Sequence, residues 1–393
     1  MGIYTNSWRG DIGNHLALAQ DNLAMSEITP QKTPLISLSG EPSSNLPGFF
    51  GNDSSNLDRF FQSLGERSSL RNKQIQRWFL QGVTDFYKMS DLPVGLRQAL
   101  SDSYLPFSSR ILLHSKATDD TEKLLLEFPD KKQIETVVMK EEGRATVCLS
   151  TQVGCGMGCV FCASGLEGIQ RNLQTHEIKE ELLQIRALLG VEGRISHIVV
   201  MGMGEPLANL ERLLPALDWA SSPSGLGISA RNITISTVGL PKKIVELAEH
   251  QKPYHLAVSL HAPNDQLRNQ IVPTNDGTGI GTILDAAQQY QKISGRQVTY
   301  EYILLAGVND HASHAVELSK LLSGRQSHVN LIPFNPVKGL PWQRPSEETV
   351  SLFRETLRLR GVSATVRKRK GADIDAACGQ LRREAARPLS GVN

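Results

Sequence analysis

The chain has 393 residues, of which 40% are hydrophobic and 21% are charged, and its formal net charge is +2. This composition is typical of a globular protein with a sizeable core, arranged as one large domain with a small companion or as two to three domains. No apolar run approaches the ~20 residues that cross a bilayer, and the N-terminus lacks the pattern of a secretory signal. The small net charge gives no argument for a nucleic-acid partner.

The first 105 residues divide into two predicted parts. Residues 1–52 are rich in Ser, Asn, Pro and Gly without a sustained period, which predicts a flexible extension. In the stretches LDRFFQSLGE and NKQIQRWFLQGV apolar residues recur three and four apart, as in amphipathic helices. The stretch MSDLPVGLRQAL continues this pattern, with Ser90 or Asp91 as the predicted helix start. Residues 53–105 are therefore predicted to form a small helical domain.

Residues 106–393 are predicted to form an α/β domain that begins with a short β extension. The extension consists of ILLHSKA, KLLLEF and QIETVVMK. The later strands ATVCLS, SHIVVMG, NITISTV, HLAVSL, VTYEYILL, HVNLIPF and ATVRKR alternate with helices, the first of which has Thr175 as its predicted N-cap. This alternation predicts a parallel sheet, either doubly wound or an open barrel of about six β/α units. In a barrel, function lies in the loops at the C-terminal strand ends.

Three cysteines dominate the chemistry of the sequence. Cys155, Cys159 and Cys162 form a C-x3-C-x2-C cluster in the loop after ATVCLS. Three thiolates can hold three corners of a [4Fe–4S] cluster, which leaves the fourth iron open for a ligand. A zinc site with a histidine as fourth ligand is the main alternative, although structural zinc sites usually have a second cysteine pair, which is missing here. The aromatic Phe161 before Cys162 favours iron–sulfur. A clustered, odd number of cysteines does not resemble a secreted disulfide framework, so we expect a cytoplasmic protein.

A string of further motifs accompanies the cysteines in order. They are CLSTQVGCGMGCVFCASG, RNL, MGMGEPLAN, ISTVG, SLHAPND, EYILLAGVND, NLIPFNPV and VRKRKGADIDAACGQL. The first contains C-x3-C-x-aromatic-C, the signature of radical S-adenosylmethionine (SAM) enzymes. Together they resemble the RlmN/Cfr family of radical SAM RNA methyltransferases, which methylate an adenine ring carbon of 23S rRNA. The resemblance extends from about Leu57 to about Arg383 and implies a partial (β/α)6 barrel behind a small helical domain.

The resemblance also implies how the remaining cysteines act. Cys155, Cys159 and Cys162 correspond to the cluster ligands, with SAM on the fourth iron and an electron donor such as flavodoxin or ferredoxin. Cys378 corresponds to the cysteine that is methylated first and then carries a carbon radical to adenine. Cys148 corresponds to the cysteine that releases the adduct and forms a transient disulfide with Cys378. Glu135 corresponds to the proton acceptor. Without the family, both cysteines would be ordinary packing residues and Glu135 an exposed strand residue.

The implied SAM contacts follow the strands. They are Gly204, Glu205, Ser236, Ser259, Leu260, His261 and Asn335. A glycine after a strand lets the backbone approach a ligand closely, whereas a lone serine or asparagine at a strand end is more often a cap or a turn residue. Met201 and Met203 flank Gly202, where either core packing or contact with the reacting centre would explain them.

The target of the reaction stays open at the level of the sequence. The basic run from Arg367 to Lys370, together with Arg171 and Lys338, is interpreted either as phosphate contacts or as a solvated face. The resemblance implies rRNA as substrate, with tRNA as a further candidate and C2 of adenine favoured over C8, and it leaves a different RNA site open. A radical SAM enzyme with a non-RNA substrate and a zinc-bound RNA-binding module are the alternatives from other classes.

Overall fold

The structure is a computed structural model that describes residues 46–381. Most of the predicted extension, residues 1–45, lies outside the described residues. The rest of it packs onto the helices that follow, because Phe49 is 3% exposed in their core and the Phe49 N–H donates to Leu105 O at 2.6 Å. The domain boundaries at residues 52 and 105 stay a prediction.

The helices and strands of the described residues follow the predicted order. The α-helices are α1 (Ser54–Ser63), α2 (Ser68–Leu80), α3 (Val94–Ser103), α4 (Thr175–Leu188), α5 (Leu210–Ser221), α6 (Pro241–Glu249), α7 (Asp265–Ile271), α8 (Ile280–Ser294), α9 (Ala312–Leu321) and α10 (Glu347–Leu359). The strands are β1 (Arg110–Lys116), β2 (Glu122–Glu127), β3 (Gln133–Glu141), β4 (Arg144–Cys148), β5 (Gln152–Gly154), β6 (Ile169–Asn172), β7 (His197–Val200), β8 (Ile233–Thr237), β9 (His255–Ser259), β10 (Val298–Leu304), β11 (Ser327–Pro333) and β12 (Ser363–Val366).

Ten strands form one sheet in the order β1-β2-β3-β4-β7-β8-β9-β10-β11-β12, and β5 pairs with β6. Strands β1 to β4 are antiparallel, and every pairing from β4 to β12 is parallel. Six β/α units start at β4, β7, β8, β9, β10 and β11, and β12 adds a seventh parallel strand. Because β1 and β12 lie at opposite ends of this order, the barrel is open. The predicted partial (β/α)6 barrel behind a helical region is confirmed.

Helix α5 is not among the predicted helices, and its sequence contains Pro215. Proline lacks the N–H that an interior helix position donates, so it normally predicts a break. The helix forms because its apolar face is buried, with Leu213, Ala216 and Leu217 all fully enclosed. No helix within residues 46–381 is long and apolar enough to cross a membrane.

The predicted start of α3 is wrong by at least three residues. The helix begins at Val94, not at Ser90 or Asp91. The Asp91 carboxylate instead accepts hydrogen bonds from α2, from Trp78 Nε1 at 2.5 Å and from Arg77 Nη2 at 2.6 Å. The Asp91 carboxylate, which the local sequence predicts as a cap of α3, is thus used in a tertiary contact with α2.

The predicted cap of α4 is wrong by one residue. Gln174 is the N-cap, and Thr175 is the first residue of the helix. Gln174 forms a capping box with Glu177, whose carboxylate accepts the Gln174 N–H at 2.7 Å. Thr175 instead donates its hydroxyl to Arg212 O at 2.9 Å, which ties α4 to α5.

A buried carboxylate joins α4 to the segment that follows the helical region. Glu180 is fully enclosed and accepts the Ser109 N–H at 2.8 Å and both the N–H and the hydroxyl of Ser108 at 2.9 Å. Burial raises its pKa from 4.5 to about 7, against the opposing effect of these hydrogen bonds. The contact positions the β extension against the barrel.

We expect Glu180 to make stability depend on pH. Because its folded pKa is raised, its stabilising contribution is full below pH 4.5 and is lost as the pH rises through about 7. Between pH 5 and pH 8 the free energy of unfolding of the wild type should fall by about 2 to 3 kcal/mol relative to that of Glu180→Gln. Urea unfolding of both proteins at the two pH values measures this difference. Parallel pH profiles would show that Glu180 does not titrate in this range.

Candidate active site

A cavity of about 140 Å³ lies at the C-terminal ends of the parallel strands. Most of the predicted site residues meet in its wall. They are Cys155, Cys159, Cys162, Gly204, Glu205, Ser236, Ser259, His261 and Cys378. The first eight come from the C-terminal ends of β8 and β9 and from the loops that follow β4, β7 and β9, as expected for a barrel whose function lies at this end.

The cysteine loop, residues 155–168, is held by hydrogen bonds within the loop and by others to the rest of the protein. The Cys155 N–H donates to Gly168 O at 3.2 Å across the loop, and the Ala163 N–H donates to Gly379 O, outside the loop, at 2.8 Å. Trp342 Nε1 donates to Val160 O at 2.8 Å and closes the loop from outside. Sequence reasoning missed Trp342, which lies 182 residues from Val160 and carries no motif of its own.

The three loop cysteines are free thiols in an environment that disfavours their charge. Burial raises the pKa of Cys155 to about 11 and also raises the pKa of Cys159 and of Cys162. Each thiolate would further raise the pKa of its neighbours in the loop. Bound iron would supply the positive charge that stabilises three thiolates in one place.

The three thiols line the wall of one cavity. Three cysteine thiolates can hold three corners of a [4Fe–4S] cluster and leave the fourth iron open for a ligand.

Gly204 and Glu205 shape the wall between two loops. Gly204 has φ +102°, and a Cβ there would lie 2.6 Å from the Cβ of Gln152, so only glycine fits. The Glu205 carboxylate accepts the Leu207 N–H at 3.0 Å and the Val238 N–H at 2.9 Å. It thereby joins the loop after β7 to the loop after β8. Burial raises the pKa of Glu205.

The hydroxyls of Ser236 and Ser259 lie 3.4 Å apart at the ends of β8 and β9. His261 follows at φ +61° and packs edge-to-face on Phe161, with ring centroids 4.8 Å apart. Burial lowers its pKa to about 3, so the ring is neutral. Its Nδ1 accepts the Ile303 N–H at 3.0 Å, which leaves the hydrogen on Nε2.

Two predicted SAM contacts lie outside the main cavity wall. Leu260 is fully buried in the hydrophobic core, and its N–H donates to Glu301 O at 3.0 Å. Asn335 lines a smaller cavity of about 40 Å³, which it shares with Cys378 and Arg367. Its Nδ2 donates to Cys378 O at 3.1 Å, while its buried Oδ1 has no hydrogen-bond partner among the described residues. An orphaned acceptor at this point suits a cofactor with a donor group, such as an amine.

Cys378 lies on the segment 371–381, which we call the Cys378 segment, between the two cavities. One side of the segment is tied to the turn between β1 and β2, where the Thr118 N–H donates to Asp373 Oδ2 at 2.9 Å. The other side is tied to the barrel, where Gln380 Nε2 donates to Pro336 O at 2.8 Å. Both sets of contacts hold Cys378 over the barrel mouth.

Cys148 and Glu135 point to the same face of the sheet. Cys148 pairs with Val137, and Glu135 lies two residues before Val137 on β3. Burial first, and then the nearby Cys378, raise the pKa of Cys148 to about 12, while Arg367 opposes the shift. The two cysteines are therefore close enough to interact electrostatically, and both are free thiols.

Glu135 is not the exposed strand residue that its local sequence suggests. It is 6% exposed, and its Oε1 lies 2.7 Å from Lys123 Nζ. Its backbone oxygen accepts the Ser150 hydroxyl at 2.7 Å, which connects it to the strand end that leads into the cysteine loop.

The basic run after β12 separates into two kinds of residue. Arg367 turns into the barrel, where its Nη1 lies 3.5 Å from Glu301 Oε1 and 3.5 Å from Met201 Sδ. Lys368 and Arg369 are exposed. Sequence reasoning treated the run as one surface and missed Glu301, although a charged residue inside the apolar strand VTYEYIL was a signal.

Comparisons with known proteins agree with this architecture. The family model described as "Radical SAM superfamily" matches residues 149–318, and that described as "Ribosomal RNA large subunit methyltransferase N-terminal domain" matches residues 45–105. A relative from Rhodopirellula baltica, named "Probable dual-specificity RNA methyltransferase RlmN", is 50% identical over 83% of this chain and 88% of its own length. A protein of the same name from Desulforamulus reducens is 45% identical over 84% of this chain and 94% of its own length.

A solved structure supports the same relationship. The crystal structure of a radical SAM methyltransferase from Sphaerobacter thermophilus matches with a TM-score of 0.79 and 40% identity. The match covers 86% of this chain and 99% of that chain. With the cysteine loop at the barrel mouth and these relatives along most of its length, the chain belongs to the RlmN family of the radical SAM superfamily.

Proposed function

We propose that this protein methylates an adenine ring carbon in RNA, through a methylated Cys378 and a transient disulfide between Cys378 and Cys148. The observation that carries the proposal is the position of Cys378, which lines the cavity of the three loop cysteines and interacts with the buried Cys148. A radical SAM enzyme that simply abstracts hydrogen from another substrate needs neither cysteine.

The proposed role of each residue follows from its location in the site. Cys155, Cys159 and Cys162 would hold the cluster, with Gly204, Glu205, Ser236, Ser259, Leu260, His261 and Asn335 as the proposed SAM contacts. When bound, the cluster and SAM supply a methyl group and a carbon-centred radical, which no side chain provides. The buried wall around Ser236 and His261 excludes water, so that a reactive species meets only its intended partner.

Cys378 would carry the methyl carbon to the RNA. Its sulfur first takes the methyl group as a thioether and gives up its own proton, and removal of one hydrogen atom from that group lets its carbon bond to the adenine. The adduct then holds one unpaired electron. Glu135, buried on the same face as Cys148, would accept the proton that the ring carbon loses. The unpaired electron would return to the bound cluster, so that the ring becomes aromatic again.

Cys148 would release the product. Its thiolate attacks the Cys378 sulfur, so a disulfide forms and the bond between that sulfur and the transferred carbon breaks. The electron pair leaves with the carbon, which takes up a proton and becomes the methyl group. Arg367 lowers the pKa of Cys148 relative to burial alone and so favours the thiolate.

The substrate assignment follows the relatives. The family model at residues 45–105 is named for the large ribosomal subunit RNA, and the relatives' "dual-specificity" name agrees with tRNA as a second substrate. Their shared RlmN name favours C2 over C8 of adenine. An electron donor such as flavodoxin or ferredoxin and a cytoplasmic location, where thiols stay reduced, complete the proposal.

The direct test is mass spectrometry of protein-free large-subunit rRNA after reaction with anaerobically reconstituted enzyme, SAM and a reductant. We expect 2-methyladenosine, and 8-methyladenosine would move the assignment to C8. Formation of 5′-deoxyadenosine without any methylated adenine would refute the rRNA substrate. Zinc in the purified protein, with neither product, would favour the zinc-bound module.

A further inference from the structure

One buried lysine connects two parts of the site that are far apart in sequence. Lys123 lies on β2, is 9% exposed and ion-pairs with Glu135 on β3, with Nζ 2.7 Å from Oε1. The same Nζ donates to the backbone oxygen of Asp375 at 3.1 Å, 252 residues along the chain. Asp375 precedes Cys378 by three residues, so one ammonium group touches both the proposed proton acceptor and the Cys378 segment.

The strand pairing fixes the direction in which Lys123 points. Lys123 pairs with Val137 on β3, and Val137 pairs with Cys148 on β4. Directly paired residues share a face of the sheet, so Lys123, Glu135 and Cys148 all face the same side. With strands about 4.8 Å apart, the Cα atoms of Lys123 and Cys148 lie roughly 10 Å from each other.

Burial of the Lys123 ammonium group has to be explained, because it carries a cost in free energy. Removing a charge from water is costly unless it is paired and hydrogen-bonded, and surface lysines normally keep their ammonium in solvent. Packing alone would be served by an apolar residue, as at Leu125, which lies two residues along β2 on the same face and is also buried. Lys123 therefore supplies something that an apolar side chain would not, namely a donor fixed between a carboxylate and a carbonyl.

The contact to Asp375 is separate from the contact between this segment and the turn after β1. Asp373 is exposed and accepts the Thr118 N–H at 2.9 Å. Asp375 has φ +50°, a conformation that non-glycine residues rarely adopt and that turns its carbonyl toward Lys123. The segment is thus bonded to Lys123, which also pairs with Glu135, and separately to Thr118 and Pro336.

We propose that Lys123 is a positioning residue that orients the Glu135 carboxylate and keeps it in register with the Cys378 segment. The inference rests on the proposed function, in which Glu135 accepts a proton from the adenine that Cys378 has bonded. A base that serves a moving carbon carrier must stay aligned with it, and a misplacement of about 1 Å can cost ~10²-fold in rate.

The test uses Lys123→Met, which keeps the aliphatic stem, and Lys123→Arg, which keeps the charge. We expect Lys123→Met to lower methylated adenosine formation by ~10- to 100-fold. Iron content and 5′-deoxyadenosine formation should stay within about twofold of wild type, because Lys123 does not line the cavity of the loop cysteines. Lys123→Arg should recover a large part of the lost methylation, since it can still donate to both partners.

Further variants separate the possible causes of a lower rate. Lys116→Met removes an exposed lysine from the neighbouring strand, where it pairs with Asp120, and should leave methylation unchanged. In a Glu135→Gln background, Lys123→Met should add no more than about twofold, whereas Asp373→Ala should add its full effect because it loosens the segment independently.

Four results would overturn the inference. They are full methylation by Lys123→Met, an undiminished effect of Lys123→Met beside Glu135→Gln, loss of iron in both Lys123 variants, and equal activity of Lys123→Met and Lys123→Arg. The last result would show that the positive charge at position 123 does not matter. If the wild type itself forms no methylated adenosine, the proposed function fails first and this inference falls with it.

Discussion

Replacement of Cys378 by alanine is expected to lower RNA methylation by ~10³-fold or more, as for removal of a group that forms a covalent intermediate. Without the Cys378 sulfur, no thioether can carry the methyl carbon. The fold of the segment should persist, because its contacts use backbone atoms, such as Cys378 O with Asn335 and Gly379 O with Ala163. Iron content, visible absorbance and methylated adenosine are measured on the same preparation.

The informative control is a variant of the cysteine loop. Cys155→Ala should lose iron together with activity, whereas Cys378→Ala should keep its iron. The comparison matters because Cys378 also lines the loop cysteines' cavity and interacts electrostatically with Cys162. Loss of iron from Cys378→Ala would make it a cluster ligand and would remove its role as methyl carrier.

Replacement of Cys148 by alanine is expected to trap the enzyme on its RNA. Cys378 can still bond to the adenine, but no neighbouring thiolate is left to attack its sulfur. The variant should fold, because Cys148 is a small buried side chain and a change to alanine removes a single atom of packing. On a denaturing gel, the amount of enzyme joined covalently to RNA should approach one complex per active site.

The double variant Cys148→Ala with Cys378→Ala tests the identity of that band. It should form no covalent species, because the atom that bonds to the RNA is gone. Multiple turnover by Cys148→Ala alone would contradict the disulfide step, as would a band that persists in the double variant.

The sequence predicted the barrel well, because parallel strands buried on both faces are continuous apolar runs bounded by loops. It failed where tertiary contacts override local preference. Helix α5 contains Pro215, which disfavours a helix locally, and it forms through burial of its apolar face. The Asp91 carboxylate accepts a hydrogen bond from Trp78 instead of capping α3. Neither effect is visible in a window of neighbouring residues.

The site was predicted by motif more than by physical pattern. Spacing alone identified the loop cysteines, because thiols so close together in one loop are typical of a site that binds a metal or an iron–sulfur cluster. Glu135 and Arg367 look like ordinary surface charges, and only the fold shows that both turn inward. Their partners lie on distant strands, so no local pattern could reveal them.

The cysteine loop has a consequence for the upkeep of the enzyme. Trp342 donates a hydrogen bond to Val160 O of the loop, and the Ala163 N–H of the loop donates to Gly379 O. These bonds join protein atoms only, so loss of a cluster to oxygen would not by itself remove them. Repair in place, with fresh iron and sulfide entering the barrel, would rely on them.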